Sequence, residues 1–185
     1  MNPSALKTGS NEEKFWYKLR IITSDISNRN ITVLRQEIEK YGENPDGLSV
    51  ARAVEMSILF PGFFQAEKLN CSYVIDGGIL SNFPVWLFDK REIPEFPTFG
   101  FKLFGKEQPI TGPITFLKEI FYTMLEGHDN EHQEDSNSVR TIPIPSKGVS
   151  LLAFNLSEKE KQKLFKSGQQ GARKFFKSWN FEEYK

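Results

Sequence analysis

The sequence predicts an α/β fold, because segments typical of strands alternate along it with segments typical of helices. Short runs of β-branched and apolar residues at 19–24 and 72–75 are typical of strands. A longer segment at 50–58 has apolar residues every three or four positions, which is typical of a helix with one buried face. With 185 residues, the chain has the length of a single domain.

The first predicted elements are a β-hairpin and a helix. Residues 19–24 and 31–34 read as strands, and the turn-forming residues 28–30 lie between them. The helix follows a polar loop at 43–47, and Pro61 and Gly62 end it. Its predicted buried face contains Val50, Ala53, Val54, Ser57 and Ile58.

A strand, a sharp loop and a second helix are predicted next. The strand at 72–75 runs into Asp76-Gly77-Gly78, and a helix is predicted to open at Asn82-Phe83-Pro84 and to continue through residue 88. Glycines at such a loop permit a positive φ or a close approach of backbone or substrate.

The second half of the chain predicts one more strand and two helices. Residues 98–104 read as the strand, and a helix is predicted from Pro113, with residues 127–138 as an exposed loop or flap. The last helix starts with a capping box, Ser157 and Glu160. The helix from Pro113 is predicted to bury Ile114, Leu117, Phe121, Met124 and Leu125. The last helix is predicted to bury Leu164, Gly168, Ala172, Phe175 and Trp179.

Composition narrows the class of protein. Lysine plus arginine and aspartate plus glutamate both total 24, so no net charge attracts nucleic acid, and no nucleic-acid partner is predicted. The single cysteine, Cys71, excludes an internal disulfide framework and favours a cytoplasmic location. The first residues contain no apolar signal-peptide segment, and no run approaches the roughly 18 apolar residues of a membrane span.

Residues 50–88 resemble the patatin-like phospholipases. That family places a helix and a Pro-x-Phe turn before a strand, then Asp-Gly-Gly or Asp-Gly-Ala, then Asn-x-Pro-Val. The corresponding pieces here are Pro61 with Phe63, the loop at 76–78, and residues 82–85. The resemblance covers residues 19–103 well and the remainder loosely. It implies one partial domain over 1–185, with an undefined segment at 1–17, a core at 18–104 and an amphipathic helix at 157–179.

The resemblance also implies a fold and a chemistry. The fold is a three-layer sandwich of a central sheet between helices, and the activity is hydrolysis of ester bonds in phospholipids or other acyl lipids, without cofactor or metal. Asp76 is implied to be the proton acceptor of a serine–aspartate dyad, with Gly77 and Gly78 shaping its loop. An aspartate is a weak base unless it is desolvated, which the apolar neighbours of Asp76 can provide. Candidate residues for an acyl-chain pocket are Phe60, Phe63, Phe64 and Phe83.

One part of the family pattern is absent from this sequence. The family's nucleophile lies in Gly-x-Ser-x-Gly, and no serine of this chain has glycine two residues away on both sides. We therefore expect a serine from a segment N-terminal to these residues to complete the site, and expect the chain alone to be inactive and unstable. The alternative is a non-catalytic relic, a lipid-binding or interaction module.

Two further patterns have competing interpretations. His128 and His132 have the His-x-x-Glu-His spacing of a zinc site, but their polar surroundings favour an exposed loop over a metal-binding helix. The lysines of the last helix can contact an anionic membrane surface transiently, whereas an ordinary amphipathic helix packed on a sheet is the favoured interpretation.

Overall fold

A computed structural model describes residues 7–8, 16–17, 19–89, 93–104, 110–112, 115–116, 119–120, 123, 138–149 and 155–185. The chain divides into two compact units, Met1–Asn82 and Phe83–Lys185. Each unit is built from strands and helices together, so the predicted α/β class is confirmed at that level. The three-layer sandwich and the single-domain organisation stay predictions.

The first unit contains a four-stranded antiparallel sheet in the order β4-β3-β6-β5. Its strands are β3 (Ile22–Asp25), β4 (Asn30–Val33), β5 (Glu67–Leu69) and β6 (Ser72–Asp76), and a separate short pair is formed by β1 (Lys7–Thr8) and β2 (Trp16–Tyr17). The predicted β3–β4 hairpin is confirmed, with Ile22 opposite Val33 and Asp25 opposite Asn30.

The predicted first helix is present as α1 (Val50–Ser57), and Ser49 caps its start by accepting a hydrogen bond from the Arg52 N–H. Its buried residues are Ala53 and Met56. The predicted buried face was wrong at Val54 and Ile58, which are 43% and 55% exposed. A buried cluster packs under this helix, built from Leu34, Ile38, Tyr41, Leu48, Ala53, Met56, Leu69 and Val74.

The second unit contains a parallel pair of strands and the C-terminal helices. The strands are β7 (Gly100–Phe104) and β8 (Thr141–Pro145), and the helices are α2 (Glu158–Phe176) and α3 (Phe181–Tyr184). The segment after Pro84 is a short 3-10 helix, Val85–Phe88, rather than the α-helix that the sequence predicted. Strand β7 was predicted, whereas β8, which contains two prolines, was not.

The capping box at the start of α2 is confirmed. The Ser157 hydroxyl accepts from the Glu160 backbone N–H, and the Glu160 carboxylate accepts from the Ser157 backbone N–H. The stripe predicted for the last helix is half-buried at each of its five positions, Leu164, Gly168, Ala172, Phe175 and Trp179, although Trp179 lies beyond the end of α2 at Phe176. The most buried residue of this helix is Ser167, which that stripe did not include.

Several predictions lie outside the described residues. These are the buried stripe of the helix after Pro113, most of the loop at 127–138, and His128 and His132 with the zinc interpretation. Within the described part of the chain, no helix is both long and apolar enough to cross a membrane.

Candidate active site

Asp76 is the last residue of β6, an inner strand of the first unit's sheet. Its backbone pairs in register with Thr23 of β3. On the other side, the Asp76 N–H donates a hydrogen bond of 3.1 Å to the carbonyl of Leu59, in the segment after α1. The backbone of Asp76 is thus fixed by two parts of the chain that are distant in sequence.

The loop after Asp76 depends on the absence of a side chain at Gly77. A Cβ atom at this buried position would lie 2.5 Å from the carbonyl oxygen of Ile22. The glycine therefore allows the backbone of the loop to lie close to the backbone of β3. Of the two properties that glycine permits here, the structure shows the close approach and not a positive φ, because neither Gly77 nor Gly78 is among the glycines with a left-handed φ.

The carboxylate of Asp76 is oriented by its own loop. The Gly78 N–H donates a hydrogen bond of 2.7 Å to Oδ1, which begins the 3-10 helix Gly77–Ile79. Among the residues that the structure describes, this is the one hydrogen bond to the carboxylate, and no described cation pairs with it. Oδ1 is therefore oriented by the loop, and no described residue donates a hydrogen bond to Oδ2.

Burial sets the protonation behaviour of Asp76. Desolvation raises the pKa of the carboxyl above the ordinary value of an aspartate, and the hydrogen bond from the Gly78 N–H partly opposes this shift. A carboxylate with a raised pKa is a stronger base than a solvated one, which is the requirement for taking a proton from a hydroxyl.

Asp25, on the adjacent strand β3, has the opposite character. It is fully buried, and its carboxylate accepts hydrogen bonds from the backbone N–H groups of Ser27 and Asn28, the Asn28 amide and the Tyr41 hydroxyl. Desolvation raises the pKa of this carboxyl, but the hydrogen bonds outweigh desolvation and the pKa is lowered. With its acceptor positions occupied, Asp25 holds the hairpin turn and is not a candidate base.

The candidate acyl-pocket phenylalanines have different environments. Phe60 is buried next to Leu59, and its ring packs edge-on against Phe63 at 5.8 Å between centroids. Phe63 and Phe64 are 47% and 43% exposed. Phe83 belongs to the second unit, and its ring packs against Gly100, occupying the space that a Cβ atom at Gly100 would need. Their role in binding an acyl chain stays a prediction.

Sequence reasoning missed the residues that support the Asp76 loop. Thr23 and Ser24 are fully buried, and the Thr23 hydroxyl lies 3.2 Å from the Met56 carbonyl at the end of α1. The Ser24 hydroxyl donates to the Gly77 carbonyl at 3.4 Å. Two polar residues inside a strand run were the available signal, but only the register of β3 against β6 shows what they bind.

Comparison with known proteins tests the resemblance. Residues 10–89 match the family model described as patatin-like phospholipase. The resemblance is confirmed: this segment is patatin-like. The matched residues include Asp76 and the whole of its loop, and they end at residue 89 rather than at 103.

A bacterial relative extends the similarity beyond the patatin-like segment. The chain is 35% identical over 172 residues to the uncharacterized protein YqhO of Bacillus subtilis (strain 168). The alignment covers 88% of this chain and 58% of YqhO, so the chain spans little more than half of that relative's length. No solved structure gives a significant match.

Proposed function

We propose that this chain contributes the proton acceptor of a lipid acyl hydrolase, with Asp76 as the base of a serine–aspartate dyad. The serine would come from a segment outside these 185 residues. The observation that carries the proposal is the Asp76 carboxylate itself, which is partly buried, has a raised pKa and has one oxygen fixed by the Gly78 N–H. The patatin-like match over residues 10–89 supports the substrate class, an acyl lipid ester.

In the proposed reaction, Asp76 moves one proton in each half of the cycle. It takes the proton of the serine hydroxyl as the serine oxygen attacks the acyl carbonyl, and gives that proton to the departing alcohol. It then takes a proton from water as the water oxygen attacks the acyl-serine, and returns this proton to the serine as the fatty acid leaves. Oδ2 carries the proton each time, because Oδ1 accepts from Gly78.

The local geometry suits a base that must keep one orientation. The Gly78 N–H and the short 3-10 turn fix the orientation of the carboxylate at the end of β6. Gly77 allows the loop to lie against β3. A fixed base loses little entropy when it meets the hydroxyl that it deprotonates.

The competing proposal is a non-catalytic module that keeps an acyl-binding surface. The observation in its favour is that the sequence contains no Gly-x-Ser-x-Gly. A module of this kind would bind acyl lipids without turning them over.

Complementation separates the two proposals. The chain is joined to, or co-expressed with, a patatin-like N-terminal segment that carries Gly-x-Ser-x-Gly, with a serine-to-alanine version as the control. If the dyad proposal is right, we expect the completed protein to hydrolyse a p-nitrophenyl ester and to be labelled by a fluorophosphonate. Both activities should be absent from the alanine control. A complex that assembles, as seen by size-exclusion chromatography, but neither hydrolyses nor labels would support the non-catalytic module.

A further inference from the structure

The second unit contains a groove between β8 and α2 that the proposed chemistry does not use. Its volume is about 590 Å³, within the usual range for small-molecule sites. Apolar side chains line much of it, and two lysines and several polar side chains also contribute: Val139, Pro143, Pro145, Phe175 and Trp179 with Lys147, Lys174, Gln170, Asn180 and Glu183.

The groove is elongated because α2 runs antiparallel to the outer edge of β8. Ser167 donates to the Pro145 carbonyl at 2.7 Å, a Cβ at Gly171 would lie 2.7 Å from the Pro143 carbonyl, and the Trp179 indole donates to the Val139 carbonyl at 3.0 Å. Four helix residues span about 6 Å along the helix axis, and two strand residues span about 6.6 Å along the strand. Every fourth helix residue therefore lies opposite every second strand residue. The length from 139 to 145 is about 20 Å.

The edge of β8 that faces the groove cannot accept another strand. The Gly100 N–H donates to the Arg140 carbonyl, and the Ser146 N–H donates to the Phe104 carbonyl, so the even-numbered residues of this segment bond β7. The odd-numbered residues face away, and at Pro143 and Pro145 they have no N–H. Because Ser167 and Trp179 already donate hydrogen bonds to two of the outward carbonyls, the groove does not suit an extended peptide.

The two ends of the groove differ in the charge of their side chains. Lys147 lies just beyond the Pro145 end, whereas Glu183 lies beyond the Trp179 end. Lys147 and Lys174 are exposed, and neither forms an ion pair with any residue that the structure describes. An anionic group is therefore favoured at the Lys147 end of the groove, and an apolar chain along the prolines and the two aromatic rings.

We infer that this groove binds a single-chain anionic amphiphile, with its carboxylate or phosphate at Lys147 and its alkyl chain directed toward Trp179. The inference goes beyond the proposed function, because it requires neither Asp76 nor ester hydrolysis. Binding here would be expected of the chain as it stands.

The test measures binding of laurate, dodecyl phosphate and dodecanol below their micelle concentrations by displacement of a dansylated fatty acid. We expect one site per chain, with both anions at least about tenfold tighter than the neutral alcohol of equal chain length. The stronger of the two anions identifies the head group. Equal affinity for laurate and dodecanol would overturn the inference.

Two pairs of variants locate the site. K147Q is expected to weaken laurate binding about tenfold and to leave dodecanol unchanged, whereas K163Q, on α2 outside the groove, leaves both unchanged. Q170W fills the groove and is expected to abolish binding, whereas Q169W, on the neighbouring exposed position, does not. Laurate affinity that is the same in all four variants would overturn the assignment, provided that thermal melts show each to be folded.

Discussion

At the scale of single residues, two neighbouring strands carry carboxylates with opposite behaviour. Asp25 is fully hydrogen-bonded and its pKa is lowered, whereas Asp76 is desolvated, accepts one hydrogen bond from the described residues, and has a raised pKa. A raised pKa means that the charged form is disfavoured in the folded state. Asp76 therefore costs stability at neutral pH, which is typical of a group retained for chemistry.

This cost predicts a stabilising substitution. The stability that Asp76 contributes is present below the pKa of the unfolded chain, near 3.8, and is lost as pH rises through the raised folded pKa. Asp76→Asn keeps an acceptor for the Gly78 N–H and removes the charge, so we expect its melting temperature at pH 7 to rise by a few degrees. The gain should disappear in melts below about pH 4. A lower melting temperature at pH 7 would contradict the raised pKa.

Gly77 is predicted to be indispensable for sheet packing. Gly77→Ala would place a Cβ 2.5 Å from the Ile22 carbonyl oxygen, and we expect a loss of about 2–3 kcal/mol in the free energy of unfolding by urea denaturation. Gly47→Ala is the matched control in the same unit, because its nearest contact would be an ordinary 3.4 Å. Equal effects of the two substitutions would argue against this account of the loop.

At the scale of helices and strands, the sequence predicted the elements that depend on interactions between residues close together in the chain. The hairpin, α1 and the capping box of α2 follow from neighbouring residues, and all three were predicted. The buried face of α1 was partly wrong because the structure buries Ala53 and Met56 in the core cluster and leaves Val54 exposed, and the spacing of apolar residues alone does not show which face meets that cluster. Strand β8 was missed because Pro143 and Pro145 argue against a strand, and their outward orientation is invisible without the β7 register.

The packing of α2 on β8 predicts opposite effects for two glycines one turn apart. Gly168 has open space, so Gly168→Ala should stabilise α2 by about 0.5–1 kcal/mol through helix propensity. A Cβ at Gly171 would lie 2.7 Å from the Pro143 carbonyl oxygen, so Gly171→Ala should cost about 1–3 kcal/mol. Chemical denaturation of both variants measures this difference, and stabilisation by Gly171→Ala would refute the close approach.

At the scale of the whole molecule, the two units carry separate features. The Asp76 loop belongs to the first unit, and the amphiphile groove to the second. The sequence predicted the candidate base, because the Asp-Gly-Gly motif follows a readable strand. It could not predict the groove, which depends on how α2 lies along a strand that the sequence did not reveal.

The sequence also predicts the behaviour of residues 1–185 on their own. If Asp76 is the base of a serine in Gly-x-Ser-x-Gly, these residues lack its partner, so we expect no ester hydrolysis above background. Strand β7 exposes Phe101, Leu103 and Phe104 by 47–59%, so we also expect binding of a dye for apolar surface. A monomer that melts cooperatively without binding the dye would contradict the second expectation.

The most direct test of the proposed base is the turnover of an Asp76→Asn variant in a protein completed by a Gly-x-Ser-x-Gly segment. Asp46→Asn is the matched control, because Asp46 is a 63% exposed partner of Arg35 in the same unit. We expect kcat for a p-nitrophenyl ester to fall by at least about a hundredfold in Asp76→Asn, since asparagine cannot accept the serine proton, and to change little in Asp46→Asn. Hydrolysis by a folded Asp76→Asn protein at close to the unmutated rate would contradict the assignment of Asp76 as the base.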